Sequence, residues 1–372
     1  MRKGMIWFLL LLLLTGCGRQ TASQPSELEL WVTSRERGEI YEALAESWNE
    51  EKPQEPIRLK VSVYSSQSIA SKFDSIGYRD SSIPDLVELD YAVFPKFVFS
   101  QTADLYPLQN LMDKHEGSVD GASMYSKNGI QFALPYRDQQ LVLCYRQDLE
   151  ETYPEFRQKV KSFEGLRQLG ETRGEEILWV DYLGSEVFLA LYIQALEAGE
   201  DAAYQQVLDF MREARDSGAF GMLPSGDAYS DSFPALLEEG AVPCFVTTKA
   251  QLRSLARQAP DIPERYAVTE LPSFMGEKCR VDAPTVAVAI HNSGSDPVLS
   301  RNFLEYCRFS EAAKAYPAFY IGENSVQTEE LSEQYTVLGN PDGQPGKQEL
   351  TAMDLAGYLA EYSHLVLEIL PE

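Results

Sequence analysis

Residues 28–32, Leu-Glu-Leu-Trp-Val, alternate as a strand does, and Ile40, Tyr41, Leu44 and Trp48 then recur at helical spacing until Pro53 stops the helix. Residues 57–64 alternate again, with Ile57, Leu59, Val61 and Val63 on one face. A helix follows with Ile69, Phe73 and Ile76 inward, and the run Pro-Asp-Leu-Val-Glu-Leu-Asp at 84–90 reads as a third strand. The opening is therefore β-α-β-α-β, which implies an α/β fold with a parallel sheet covered by helices on both faces. Ligands in such sheets bind at the carboxyl ends of the strands, here near Thr33-Ser34, Ser65-Ser66 and Asp90-Tyr91.

Further along, apolar strands are expected at 130–134 and 141–145, around Pro135-Tyr-Arg-Asp-Gln139. Helical spacing marks 164–169, 186–197, 203–214 and 232–239, and strands of a second sheet are expected at 242–247 and 266–271. The apolar run at 286–290 suits a strand that returns the chain to the first sheet. Helices are expected at 298–309 and 350–370, separated by a Pro-Asp-Gly loop at 339–346. No internal repeat is visible.

The first residues bear on location. Arg2 and Lys3 precede an unbroken apolar run over 5–14. Ten helical residues rise only about 15 Å, half a bilayer core, so the run suits a signal peptide and not a membrane span. Leu14-Thr15-Gly16-Cys17 then resembles a bacterial lipobox, in which small residues let a peptidase reach the bond before a cysteine that carries lipid. The polar stretch 18–27 reads as a tether. The expectation is a protein anchored through Cys17 to the outer face of the cytoplasmic membrane.

Composition then narrows the classes. With 32 Lys plus Arg against 57 Asp plus Glu, the chain carries a formal charge of −25 over 372 residues, which opposes nucleic-acid binding. Three histidines leave little for a His-rich metal site, and neither a metal nor a cofactor is called for. Beyond Cys17 there are Cys144, Cys244, Cys279 and Cys307, which allow three pairings and match no zinc spacing. Cys144 and Cys244 sit in apolar runs, which favours unpaired core thiols.

Several segments carry a family likeness. Gly129-Ile-Gln-Phe-Ala-Leu-Pro-Tyr136 and Leu143-Cys-Tyr-Arg-Gln-Asp-Leu149 are similar to a "G-x-Y-A-L-P…L-x-Y-N-K-D-L" run. Glu239-Gly-Ala-Val-Pro-Cys-Phe245 and Tyr266-Ala-Val-Thr-Glu-Leu-Pro272 occupy later motifs of the same order, as do Pro84-Asp85-Leu-Val and Leu105-Tyr-Pro-Leu108. Over roughly residues 28–320 the chain resembles the extracellular solute-binding proteins of ABC importers, in the sugar-binding family that includes maltose-binding protein. The resemblance implies two α/β lobes joined by hinge strands, with 28–136 and 286–322 in the first lobe and 137–285 and 323–372 in the second. It implies a non-catalytic, monomeric receptor that captures a mono- or oligosaccharide between the lobes and hands it to ABC permease subunits. Where the family places Gly and then a ring-stacking Trp, this chain has Thr247-Thr248-Lys249. A lysine offers a point charge in place of a flat apolar face, which suits an acidic saccharide. Asp282-Ala283-Pro284 likewise departs from the family's Gly-Gly.

Sugar sites combine aromatic faces with planar polar groups. The candidate ligand contacts are Asp90 and Tyr91 at the third strand's end, and Tyr136, Arg137 and Asp138 at the first crossing. Asp181 and Tyr182, with Thr247, Thr248 and Lys249, come from the second lobe. Tyr229 is a weaker candidate, and Trp31 reads as core. Competing functions are an extracellular polysaccharide-active enzyme and a surface lipoprotein without transport, although no G-x-S-x-G, H-E-x-x-H or Walker A motif occurs. A peptide, polyamine or anion remains an alternative ligand.

Overall fold

The computed structural model describes residues 24–75, 83–91, 93–99, 104–115, 122–136, 140–180, 185–199, 202–223, 232–278, 280–281, 286–321, 331–339 and 344. The chain begins with β1 (Ser26–Val32), α1 (Arg35–Glu51), β2 (Ile57–Val63), α2 (Ser66–Ser75) and β3 (Leu86–Asp90). It continues through β4 (Ala133–Pro135), β5 (Leu141–Arg146), α3 (Phe163–Arg173), β6 (Leu178–Val180), α4 (Ser185–Glu197), α5 (Ala203–Asp216) and β7 (Phe220–Met222). Next come β8 (Cys244–Thr248), α6 (Lys249–Gln258), β9 (Tyr266–Thr269), β10 (Val286–Ile290), α7 (Pro297–Phe309) and β11 (Thr336–Leu338).

These strands form two large sheets, one per lobe. The first runs β2-β1-β3-β10-β4, with β1, β2 and β3 parallel and β10 antiparallel to both β3 and β4. The second runs β11-β9-β5-β8-β6-β7. Among the described residues the chain passes between them three times, after Tyr136, before Val286 and after Ile321, and the first two crossings are hydrogen-bonded to each other at both ends. At the first lobe Tyr136 N donates to Val286 O at 3.3 Å, and at the second Leu141 N donates to Val281 O at 2.9 Å.

Local chemistry explains the element ends. Ser34 caps α1 by accepting from Arg37 N, and Thr248 caps α6 by accepting from Gln251 N. Gly38 lets α1 lie close on the sheet, because a Cβ there would meet Val61 Cγ1 at 2.9 Å. Trp48 is fully buried and packs edge-on against Phe303 and Tyr306 of α7, so the returning chain closes the first lobe's core. Asp85 ties the same return, accepting from Glu29 N at 2.8 Å and from Ser295 N at 2.6 Å. A larger apolar cluster continues from Val87, Leu89 and Ala289 in the first lobe to Leu143, Phe163 and Leu189 in the second.

Some expectations shift. The strand expected at 130–134 is split at Phe132: Ile130–Gln131 pairs with Ser126–Lys127 across the positive-φ turn Asn128-Gly129, and Ala133–Pro135 pairs with β10. The strand expected at 242–247 starts at Cys244, after Pro243, which has no N–H to give a ladder. Cys144, Cys244 and Cys307 are free and buried, and burial raises all three thiols. The helix expected at 350–370, together with Cys17, Ile76 and Cys279, lies outside the described residues. No helix among the described residues is long and apolar enough to cross a membrane.

His291 gives a pH expectation. Its ring is buried and packs on Phe73, and its Nδ1 accepts from Ser293 N at 3.1 Å, which requires an unprotonated nitrogen. Burial pushes its pKa below the ordinary value, against an opposing pull from Asp104 and Asp85. The folded state therefore binds the proton less readily than the unfolded chain. Stability is fully present above about pH 6.5 and falls as pH drops through that value toward the folded pKa. Melting curves between pH 7.5 and about 5.5 are expected to show this loss. His291→Gln is expected to flatten that part of the profile, and an unchanged slope would contradict the assignment.

Candidate functional site

The site begins where β1 ends. Thr33 and Ser34 lead into α1, whose first turns present Glu36, Glu39 and Ile40 toward the second lobe. In that lobe β8 ends at Thr248 and α6 starts at once, presenting Ala250, Arg253 and Arg257. The segment after α7 supplies a third wall from Ala315, Tyr316, Pro317, Ala318 and Phe319. Together they enclose a pocket of about 500 Å³ between the lobes, within the range usual for small-ligand sites. Its lining pairs carboxylates and guanidinium groups with aromatic and proline surface. Glu36 reaches across to bond both Ser254 Oγ and Arg257 Nη2.

The turn carrying Glu36 is held from behind by Glu88, an acid in the middle of β3 that is fully buried. Its Oε2 accepts from Thr33 N at 2.7 Å and Thr33 Oγ1 at 2.9 Å, while Oε1 accepts from Arg37 Nε at 2.8 Å and from Tyr136 OH. Burial, then the nearby Glu88 charge, pushes the Tyr136 phenol well above its ordinary value, so it stays a donor. Its proton goes to Glu88, so Tyr41 OH donates to Tyr136 OH across 2.9 Å. Arg308 covers this group with its guanidinium 4.1 Å from the Tyr136 ring centroid. It donates to Leu134 O at 3.4 Å and to Phe319 O at 3.3 Å, which joins the start of the first crossing to the pocket's third wall.

The residues expected from sequence fall as follows. Asp90 ends β3 half-buried, and Tyr91 is fully buried. Tyr136 belongs to the Glu88 network, and Thr248 serves as the α6 cap. Thr247 is fully buried, and its Oγ1 has no hydrogen-bond partner among the described residues. Lys249 opens α6, is 8% exposed, and its backbone N donates to Gln140 O at 3.0 Å. Arg137, Asp138, Asp181, Tyr182 and Tyr229 lie outside the described residues. Trp31 is core, 3% exposed, as expected. Sequence reasoning did not single out Glu36, Glu39, Arg253, Arg257, Tyr316 and Phe319. The one available signal was Glu88, an acid flanked by apolar residues inside a strand.

Comparison with known structures decides the architecture. The ABC-transporter-associated binding protein of B. animalis subsp. lactis, solved with β-1,6-galactobiose, superposes with a TM-score of 0.64 at 14% identity, covering 91% of this chain and 86% of that one. The maltose/maltodextrin-binding domain MalE of Bdellovibrio bacteriovorus, solved with maltotriose, gives a TM-score of 0.61 at 14% identity over 92% of this chain and 95% of that one. This is the fold of the two-lobed solute-binding proteins. In sequence the chain is similar to the arabinooligosaccharide-binding protein of Bacillus subtilis, 20% identical over 335 residues, which is 84% of this chain and 77% of that protein. No protein-family profile matches the chain. The relative and the two structural neighbours given above are each named for binding.

Proposed function

We propose that this chain is a receptor that captures a carbohydrate between its lobes and delivers it to an ABC permease from the outer face of the membrane, anchored by lipid on Cys17. The observation that carries the binding role is the interlobe pocket, whose lining suits a saccharide. Glu36 and Glu39 accept from hydroxyls, Arg253 and Arg257 donate to them, and Tyr316 and Phe319 offer faces to the C–H surface of a sugar ring. The sugar-binding relatives support the same reading. Asp90 and Lys249, with Arg137, Asp138, Asp181 and Tyr182, add contacts from the strand ends and the first crossing. Tyr91, Tyr136, Thr247 and Thr248 hold those contacts from behind.

Titration calorimetry with arabinooligosaccharides, maltotriose and β-1,6-galactobiose tests this, using wild type and Ala250→Trp. The tryptophan projects from α6 into the pocket and is expected to abolish the binding heat while leaving the melting temperature unchanged. Saccharide binding that survives the substitution would move the ligand elsewhere.

A further inference from the structure

We propose that the first turn of α1 is a latch that holds the lobes together in the ligand-free protein, with Glu36 as its tongue and Ser254 and Arg257 of α6 as its keeper. The carboxylate of Glu36 accepts from both groups, one oxygen to each, so the contact is a charge-assisted pair of bonds between elements of different lobes. The tongue sits on a rigid mount. Ser34 caps the same turn, and Arg37 and Thr33 on either side are fixed to the buried Glu88. The keeper is rigid as well, because α6 begins directly from β8 with its Thr248 cap made. Two helices with fixed backbones therefore meet through one carboxylate, and the freedom lost on pairing is that of the Glu36 and Arg257 side chains.

The latch also borders the pocket, since Glu36 and Arg257 are both lining residues. A ligand that enters must pass or replace it. The device is independent of what that ligand is, because it acts before binding.

Arg257 is about half exposed, so the contribution is modest and sensitive to salt. Glu39 and Arg253 line the same pocket with opposite charges, so the pair sits in a nearly balanced local field. The test is a Förster dye pair with one dye on each lobe, read in the ligand-free protein for wild type, Glu36→Arg, Arg257→Glu and the double exchange. Each single variant is expected to lower the closed-to-open ratio, by about fivefold at most, and the double exchange to restore most of it. Molar salt is expected to shift wild type toward the open distribution and to shift the single variants the other way, because it screens their like-charge pairs. Single variants that keep the wild-type ratio, or an exchange that restores nothing, would overturn the latch. Should a single variant fail to fold, the salt titration of wild type alone decides, and a ratio indifferent to salt counts against it. Absence of any saccharide binding leaves all of these readouts intact, so the latch and the carbohydrate reading fail separately.

Discussion

Replacing Glu88 by alanine is expected to destabilise the first lobe by about 3–5 kcal/mol, because its buried donors lose the charged acceptor they share. Glu88 is fully buried, and four donors converge on it from Thr33, Arg37 and Tyr136. Alanine strands the Thr33 N–H and takes the carboxylate acceptor from the Tyr136 hydroxyl and from a guanidinium whose side chain is only 16% exposed. The melting temperature of the lobe is expected to fall by roughly 10 °C. Glu88→Gln tests whether the charge matters beyond shape. An amide keeps one oxygen, but its NH₂ then faces a donor on either side, so it is expected to destabilise as well, though less than alanine. Binding is expected to weaken in both variants even in the folded fraction, since the turn carrying Glu36 loses its mount. A stability close to wild type would show that this network is not formed.

The second large effect concerns the return of the chain to the first lobe. Trp48→Ala is expected to cost about 3–5 kcal/mol. The ring is fully buried between α1 and α7, its Nε1 donates to Glu55 O at 2.8 Å, and the Lys52 ammonium lies 3.7 Å from its centroid. Its contacts Phe303 and Tyr306 lie more than 250 positions along the chain. Trp48→Phe keeps the edge-on packing and is expected to lose less. Chemical denaturation followed by far-UV circular dichroism reads both. A loss below about 1 kcal/mol for alanine would mean that α7 does not pack on α1.

The opening β-α-β-α-β was legible because each element there follows a single period and ends at a recognisable stop. Leu28, Ile57 and Val87 pair into parallel strands where the alternation placed them. The return strand at 286–290 was legible for a similar reason, as an apolar run buried on both sides. The broken strand at 130–134 shows the limit of reading a motif whole. Asn128-Gly129 is a strong turn signal in its own right, and it draws Ile130–Gln131 into a local hairpin, so that only Ala133–Pro135 joins the sheet.

The pocket was harder to see, because its walls come from positions 36–40, 250–257 and 315–319. No period or spacing connects such segments; only the closure of the lobes does. Lys249 illustrates the same point. Alignment put it where the family stacks a sugar, and the structure places it at the start of α6 with most of its side chain covered. Glu88 left a trace, since an acid within Leu-Val-Glu-Leu needs a buried partner. Its partners, however, sit 51 and 48 residues away on opposite sides.

Thermal-shift screening of the protein beginning after Cys17 tests the central claim most directly. The panel holds arabinooligosaccharides, maltotriose, β-1,6-galactobiose, uronic and sulfated saccharides, polyamines and short peptides. At 100 times its dissociation constant a ligand adds about 2.7 kcal/mol, a rise of several degrees. The expected result is such a rise with at least one saccharide, with acidic members of the panel favoured if Lys249 faces the ligand. A rise with a polyamine or peptide alone, and with no saccharide, would contradict the account.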